Sequence, residues 1–145
     1  TNLFDPSTAT LNKRINSSGT LTDCDGHVVT AFISVADKIP FTDETKLYVK
    51  GGDFGQDADG NYRAKILTYK SKPSTGYTNM YYGSILTEFA QADVGNGVIA
   101  ATKLGAEFVS GVKYMVLCIK VKDTAITADD IKDIIVTIEE PIYLS

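Results

Sequence analysis

The sequence predicts an all-β protein, a two-sheet β-sandwich with one short helical turn, on three observations. Short runs rich in Val, Ile, Thr, Tyr and Phe recur at intervals of about 10 residues, separated by clusters of Gly, Asn, Asp and Ser. Counted along the chain, such runs suffice to fill two sheets. The length of 145 residues, 43% of them hydrophobic, suits a single domain, residues 1–145, that buries roughly 70% of its unfolded surface and needs neither metal nor disulfide to stand alone.

Taken in order, the expected strands are Leu3-Phe4, Val28 to Val35, Thr45 to Lys50, Ala64 to Tyr69, Tyr81 to Leu86, Gly97 to Leu104, Lys113 to Val121 and Ile134 to Glu139. Ala64 to Tyr69 follows Asp59-Gly60-Asn61, whose Asp-Gly pair favours a tight hairpin because glycine accepts positive φ at little steric cost. Leu47 to Val49 is the expected hairpin partner. In Lys113 to Val121, Met115, Leu117, Ile119 and Val121 share one face and Tyr114, Val116, Cys118 and Lys120 the other. Both faces are largely apolar, which places this strand at the centre of a sheet. Thr127 followed three residues later by Asp130, ahead of Ile131, reads as the capped start of a short helical turn. The β-branched run from Ile134 to Ile138 then returns to strand and Pro141 closes it. The stretches Gly51 to Gly60 and Ser71 to Asn79 read as exposed loops, where binding specificity would sit.

Composition excludes several function classes. A net charge of −4, from 18 acidic and 14 basic side chains, gives no attraction to phosphate backbones or anionic lipid, so nucleic acid is not an expected partner. Apolar stretches such as Tyr114 to Ile119 fall far short of the roughly 20 residues a membrane helix needs, so no membrane insertion is expected. The opening Thr1-Asn2-Leu3-Phe4 carries neither basic nor apolar leader regions, which leaves a secretory leader absent, already removed, or the chain a domain of a longer one. Cys24 and Cys118, the only two cysteines, lack CxxC spacing, which argues against a zinc or redox site and leaves a disulfide or two free thiols open.

Catalytic signatures are missing as well. His27 is the sole imidazole, set in a turn beside Asp25 and Gly26, and no G-x-S-x-G elbow, HExxH helix, P-loop or GxGxxG is present. The acidic pairs Asp43 with Glu44, Asp129 with Asp130 and Glu139 with Glu140 are adjacent, and adjacent strand residues face opposite ways, so they make no glycosidase pair by themselves. No enzyme is expected. Asp53, Asp57, Asp59 and Asn61 gather oxygen ligands suited to calcium, yet Tyr62 stands where an EF-hand loop needs glycine and Thr68 where it needs glutamate. A solvated hairpin turn is the favoured reading of these residues, because such turns also prefer Asp, Asn and Gly. A different constellation suits a sugar. In the Ser71 to Tyr82 region, helped by the Gly51 to Gly60 loop and its flank, Phe54, Tyr77, Tyr81 and Tyr82 combine with Gln56, Asn61 and Asn79, pairing apolar ring faces with amides that match hydroxyl groups. Tyr81 and Tyr82 are consecutive and point to opposite sheet faces, so one of them belongs to the core.

The opening Asn2-Leu3-Phe4-Asp5-Pro6, with Thr10, Ile15-Asn16, Ser18-Gly19 and then Thr30-Ala31-Phe32-Ile33-Ser34-Val35, resembles the carbohydrate-binding-like jelly-roll domains of bacteriophage tail, baseplate and head-fibre proteins. The Tyr114 to Val121 strand, the Thr127 to Ile131 turn and the Ile134 to Pro141 segment are similar to that family's C-terminal half. The sequence departs from the pattern after Val35, where Ala36-Asp37-Lys38-Ile39-Pro40 replaces a Pro-Gly turn, and at Tyr69-Lys70, where a Tyr-Asp pair is common. The resemblance implies a β-sandwich of jelly-roll type whose first strand, Leu3-Phe4, lies beside Ile134 to Ile138. It also implies a non-catalytic domain at the virion surface that attaches to bacterial surface glycans and touches other virion proteins or further copies of itself. The alternatives are a structural or decoration module making protein contacts in a virion, and an accessory sugar-binding module of a glycan-degrading enzyme.

Overall fold

The computed structural model describes residues 2–16, 18–35, 46–52, 64–78, 80–85, 90–94, 97–103 and 111–138. A 3-10 turn at Pro6–Thr8 leads into β1 (Thr10–Ile15), β2 (Leu21–Val29), β3 (Ile33–Ser34), β4 (Lys46–Lys50), β5 (Ala64–Tyr69), β6 (Tyr82–Ile85), β7 (Ala90–Val94), β8 (Gly97–Lys103) and β9 (Tyr114–Lys120). The helix α1 (Ala128–Ile131) and β10 (Ile135–Thr137) follow. Among the described residues all strand pairings are antiparallel, and the fold there is all-β with little helix. The larger sheet runs β1-β2-β9-β5-β6, with β3 also on β9, and the smaller runs β10-β4-β8-β7. No described helix is long and apolar enough to cross a membrane.

Residues of both sheets meet in one apolar cluster. Val28, Ile66, Met115, Leu117 and Ile119 come from the larger sheet, Leu47, Val49 and Val136 from the smaller, and Phe4 joins them. Burial of this layer is the main driving force for the two sheets to associate. The hairpin expected between Leu47 to Val49 and Ala64 to Tyr69 does not form. Strand β4 pairs with β8 and β10, and β5 pairs with β6 and β9, so the two face each other across the core from different sheets. An Asp-Gly turn signal is local, and the gain from burying Leu47, Val49 and Ile66 against one another outweighs it.

Strand β9 is central, as expected, and its residues from Met115 to Lys120 are buried. Its two faces feed two clusters: Met115, Leu117 and Ile119 enter the layer between the sheets, while Val116 and Cys118 enter a second cluster on the outer face of the larger sheet with Ile15, Val29, Leu67 and Tyr69. The chain start lies beside β10, although Leu3-Phe4, expected as a strand, is not one. Leu3 N–H donates to the Val136 carbonyl at 2.7 Å, and the Asn2 side chain accepts from Val136 N–H and donates to the Ile134 carbonyl. At α1, Asp130 accepts from Thr127 N–H at 2.8 Å, the reaching-back half of a capping box. Both cysteines are free thiols, Cys118 buried and Cys24 partly exposed.

Candidate functional site

The run Val28 to Val35, expected as one strand, is two. Val29 pairs with Cys118 and Ile33 with Met115, so four steps on one side match three on the other. One extra residue is accommodated at positions 30–32, as in a β-bulge. Thr30 holds the break together: its N–H donates to the Leu117 carbonyl and its hydroxyl accepts from Leu117 N–H, each at 3.0 Å. The insertion inverts the alternation that follows. Val28 and Ile33 both point into the core between the sheets, and Phe32 is turned to the outer face.

There Phe32 organises a group of rings. It stacks on Tyr77 with centroids 5.3 Å apart and planes at 18°, and it meets Tyr69 and Tyr114 edge-on at 5.0 and 6.5 Å. These are the offset and T-shaped arrangements that the ring quadrupoles favour. Tyr77 arrives from the loop joining β5 to β6, which folds back over the outer face. The Tyr69 hydroxyl donates to the Tyr77 carbonyl at 2.7 Å, and Tyr81 N–H donates to the Thr68 carbonyl at 2.7 Å as strand pairing resumes. Gly19, in the β1–β2 turn, secures this loop from below: at φ 77° it lies where a Cβ would fall 2.9 Å from the Tyr77 carbonyl oxygen and 3.0 Å from the Thr78 Cα. Tyr69 is fully buried, and burial, with smaller contributions from Cys118 and Tyr77, pushes its hydroxyl well above the ordinary tyrosine range. Burial also raises Tyr77, partly offset by a hydrogen bond with the Thr10 side chain.

Two ammonium groups sit on this surface. Lys70 Nζ lies 4.2 Å from the centroid of the Tyr81 ring and Lys72 Nζ 5.6 Å from that of Phe32. Tyr81 is 43% exposed, the one large apolar side chain so open among the described residues. Phe32 also borders a cleft of about 380 Å³, walled on one side by Asn2, Leu3, Asp5 and Thr8 and on the other by residues 30–34. Concave space beside the half-buried Phe32 ring, edged by the exposed Ser34, can hold a small hydroxyl-bearing ligand, while the Asn2 amide and the Thr8 and Thr30 hydroxyls already bond within the fold.

Of the residues singled out from sequence, Tyr77 is brought to this face as a half-buried packing ring, and Tyr81 is an open ring beneath Lys70. Tyr82 lies in β6 opposite Thr68. Phe54, Gln56, Asn61 and Asn79 lie outside the described residues, as do Asp53, Asp57 and Asp59. Among the described residues no three His, Cys, Asp or Glu side chains are grouped to hold a metal ion. His27 Nδ1 lies 3.1 Å from Cys24 Sγ and 3.2 Å from the Asp25 carbonyl, on the far stretch of β2. Phe32, Tyr114, Lys70 and Lys72 were not anticipated. Fixed alternation from Val28 sends Phe32 inward, and only the extra residue at 30–32 sends it out.

This chain matches no protein-family model, no curated protein and no solved structure at a significant level.

Proposed function

We propose that the domain is a non-catalytic carbohydrate-binding module of jelly-roll type, carried at the surface of a bacteriophage particle on a tail, baseplate or head fibre, and that it attaches to glycans of a bacterial host. The observations that support the sugar-binding part are the Phe32 ring, stacked on Tyr77 and bordering a polar-edged cleft, and the open ring of Tyr81. Flat apolar faces next to hydroxyl and amide groups match the alternating C–H and O–H surfaces of a sugar. Support for the jelly-roll type comes from a chain that crosses between the sheets at β3–β4, β4–β5, β6–β7, β8–β9 and β9–β10 and brings its first residues beside its last strand. The phage setting rests on the resemblance alone. Shallow sites of this kind gain strength through copies, by about 10²- to 10⁴-fold where several engage at once.

A glycan array probed with a multivalent display of the domain tests the reading, and the expected result is a restricted set of bound saccharides. One observation favours a second reading, a structural module making protein contacts in a virion: Phe32 and Tyr77 already pack on each other beneath the β5–β6 loop, so that part of the group serves the fold. An empty array together with concentration-dependent self-association in analytical ultracentrifugation would favour that second reading.

A further inference from the structure

We infer that the saccharide bound on this face carries an anionic substituent, a carboxylate or a phosphate, which Lys70 and Lys72 recognise; the inference rests on the sugar-binding reading above. The chain carries a net charge of −4, and among the described residues Lys13, Lys120, Lys122 and Lys132 each hold an aspartate. Lys70 and Lys72, like Lys50, Lys65 and Lys113, meet no carboxylate among the described residues, and of these five they are the two that lie over an aromatic ring, Tyr81 in one case and Phe32 in the other. Those are two of the rings a sugar would use. A neutral sugar that settles on either ring displaces the ammonium and returns nothing for it. An anionic sugar takes the ring with its C–H face and re-pairs the displaced ammonium with its own charge, so both halves of the contact are kept. The carboxylate bordering the adjoining cleft, Asp5, is turned to the Ser7 N–H and hydroxyl at 3.0 and 2.7 Å, where it caps the 3-10 turn.

The test uses an array that prints saccharides bearing uronate, sialate or phosphodiester groups beside their esterified, reduced or dephosphorylated neutral counterparts. It is probed with the multivalent wild-type domain, K70Q/K72Q and K70R/K72R at low and high sodium chloride. Expected are hits confined to acidic members, falling about tenfold or more in high salt. K70Q/K72Q should lose them while keeping the wild-type melting temperature, and K70R/K72R, which keeps both charges, should retain them. The uronate and phosphodiester arms tell which anion is taken. Equal signals on acidic and neutral members, unchanged in K70Q/K72Q, would overturn this inference and leave sugar binding standing. Acidic hits that persist in K70Q/K72Q would overturn the assignment to these lysines. No signal on any member would defeat the sugar-binding reading and this inference with it.

Discussion

Gly26 lies at φ 83°, packed so closely on the segment after β9 that a Cβ would fall 1.9 Å from the Lys122 carbonyl oxygen, while its own carbonyl accepts from Val121 N–H. Opposite it, Asn12 takes φ 58°, a conformation asparagine tolerates better than most residues, and its side chain binds Gly26 N–H, Ile126 N–H and the Ile126 carbonyl. Gly26→Ala should therefore cost about 3 kcal/mol or more, read as a fall of roughly 10 °C in Tm, because strain and clash add. Asn12→Ala, which strands three backbone groups, should cost about 1–3 kcal/mol in the same thermal melt. Open and packed rings should likewise part company. Tyr81→Ala should weaken saccharide binding with less than about 0.5 kcal/mol of destabilisation, whereas Tyr77→Ala should lower stability by about 2 kcal/mol as the stack on Phe32 is lost. The two thiols differ in the same way. Burial pushes the Cys118 thiol up, so an Ellman titration should modify Cys24 alone in the native protein and both cysteines after unfolding.

At the scale of elements, the sequence was legible wherever a short signal and its consequence are both local. The capped turn at Thr127 and the two-faced strand β9 are of that kind. Strands β1 and β7, and the first part of β2, were not anticipated. Thr10–Ile15 reads TLNKRI and Leu21–Val29 reads LTDCDGHVV, both polar enough to pass for turn, and their ladder is irregular between Leu11 and Lys13. Long-range pairing supplies what local propensity lacks there. The break at residues 30–32 was equally hidden, since nothing in Thr30-Ala31-Phe32 announces an inserted residue. The α1 cap carries a pH dependence of definite sign. The hydrogen bond from Thr127 N–H, then Lys122, hold the Asp130 carboxyl below its ordinary range. Its stabilising contribution is thus fully present above the unfolded-state pKa of about 4 and is lost as pH falls through the lower folded value. Melting curves of wild type and Asp130→Ala should differ at about pH 7 and converge toward about pH 2.

The whole molecule depends on pairings between distant parts of the chain, and these were the least legible. Which sheet a strand joins is decided by partners far away in sequence, which is why β4 and β5, neighbours joined by a plausible hairpin turn, part to opposite sides of the core. The closure of first residues on last strand was foreseen through the family resemblance, and the means are particular: Asn2 clasps β10 at two points and Phe4, 4% exposed, fills the layer between the sheets. Removing residues 1–5 should thus cost about 3–5 kcal/mol, chiefly from Phe4, with a matching drop in the denaturation midpoint. An unchanged midpoint would contradict this role.

The position of β9 bears on how the chain acquires its shape during synthesis. Strands β2 and β5 both wait for it, and the ladder Val29 with Cys118 joins residues about 90 positions apart. Until Tyr114–Lys120 has left the ribosome, the slot between those two strands stays vacant, and Val28, Val29, Ile66 and Leu67 have nothing to bury against on that side. Folding of this domain cannot advance strand by strand in step with translation; it has to await a strand made well after the two it joins. A nascent chain arrested before Tyr114 should remain protease-sensitive, and one arrested after Thr137 has emerged should not.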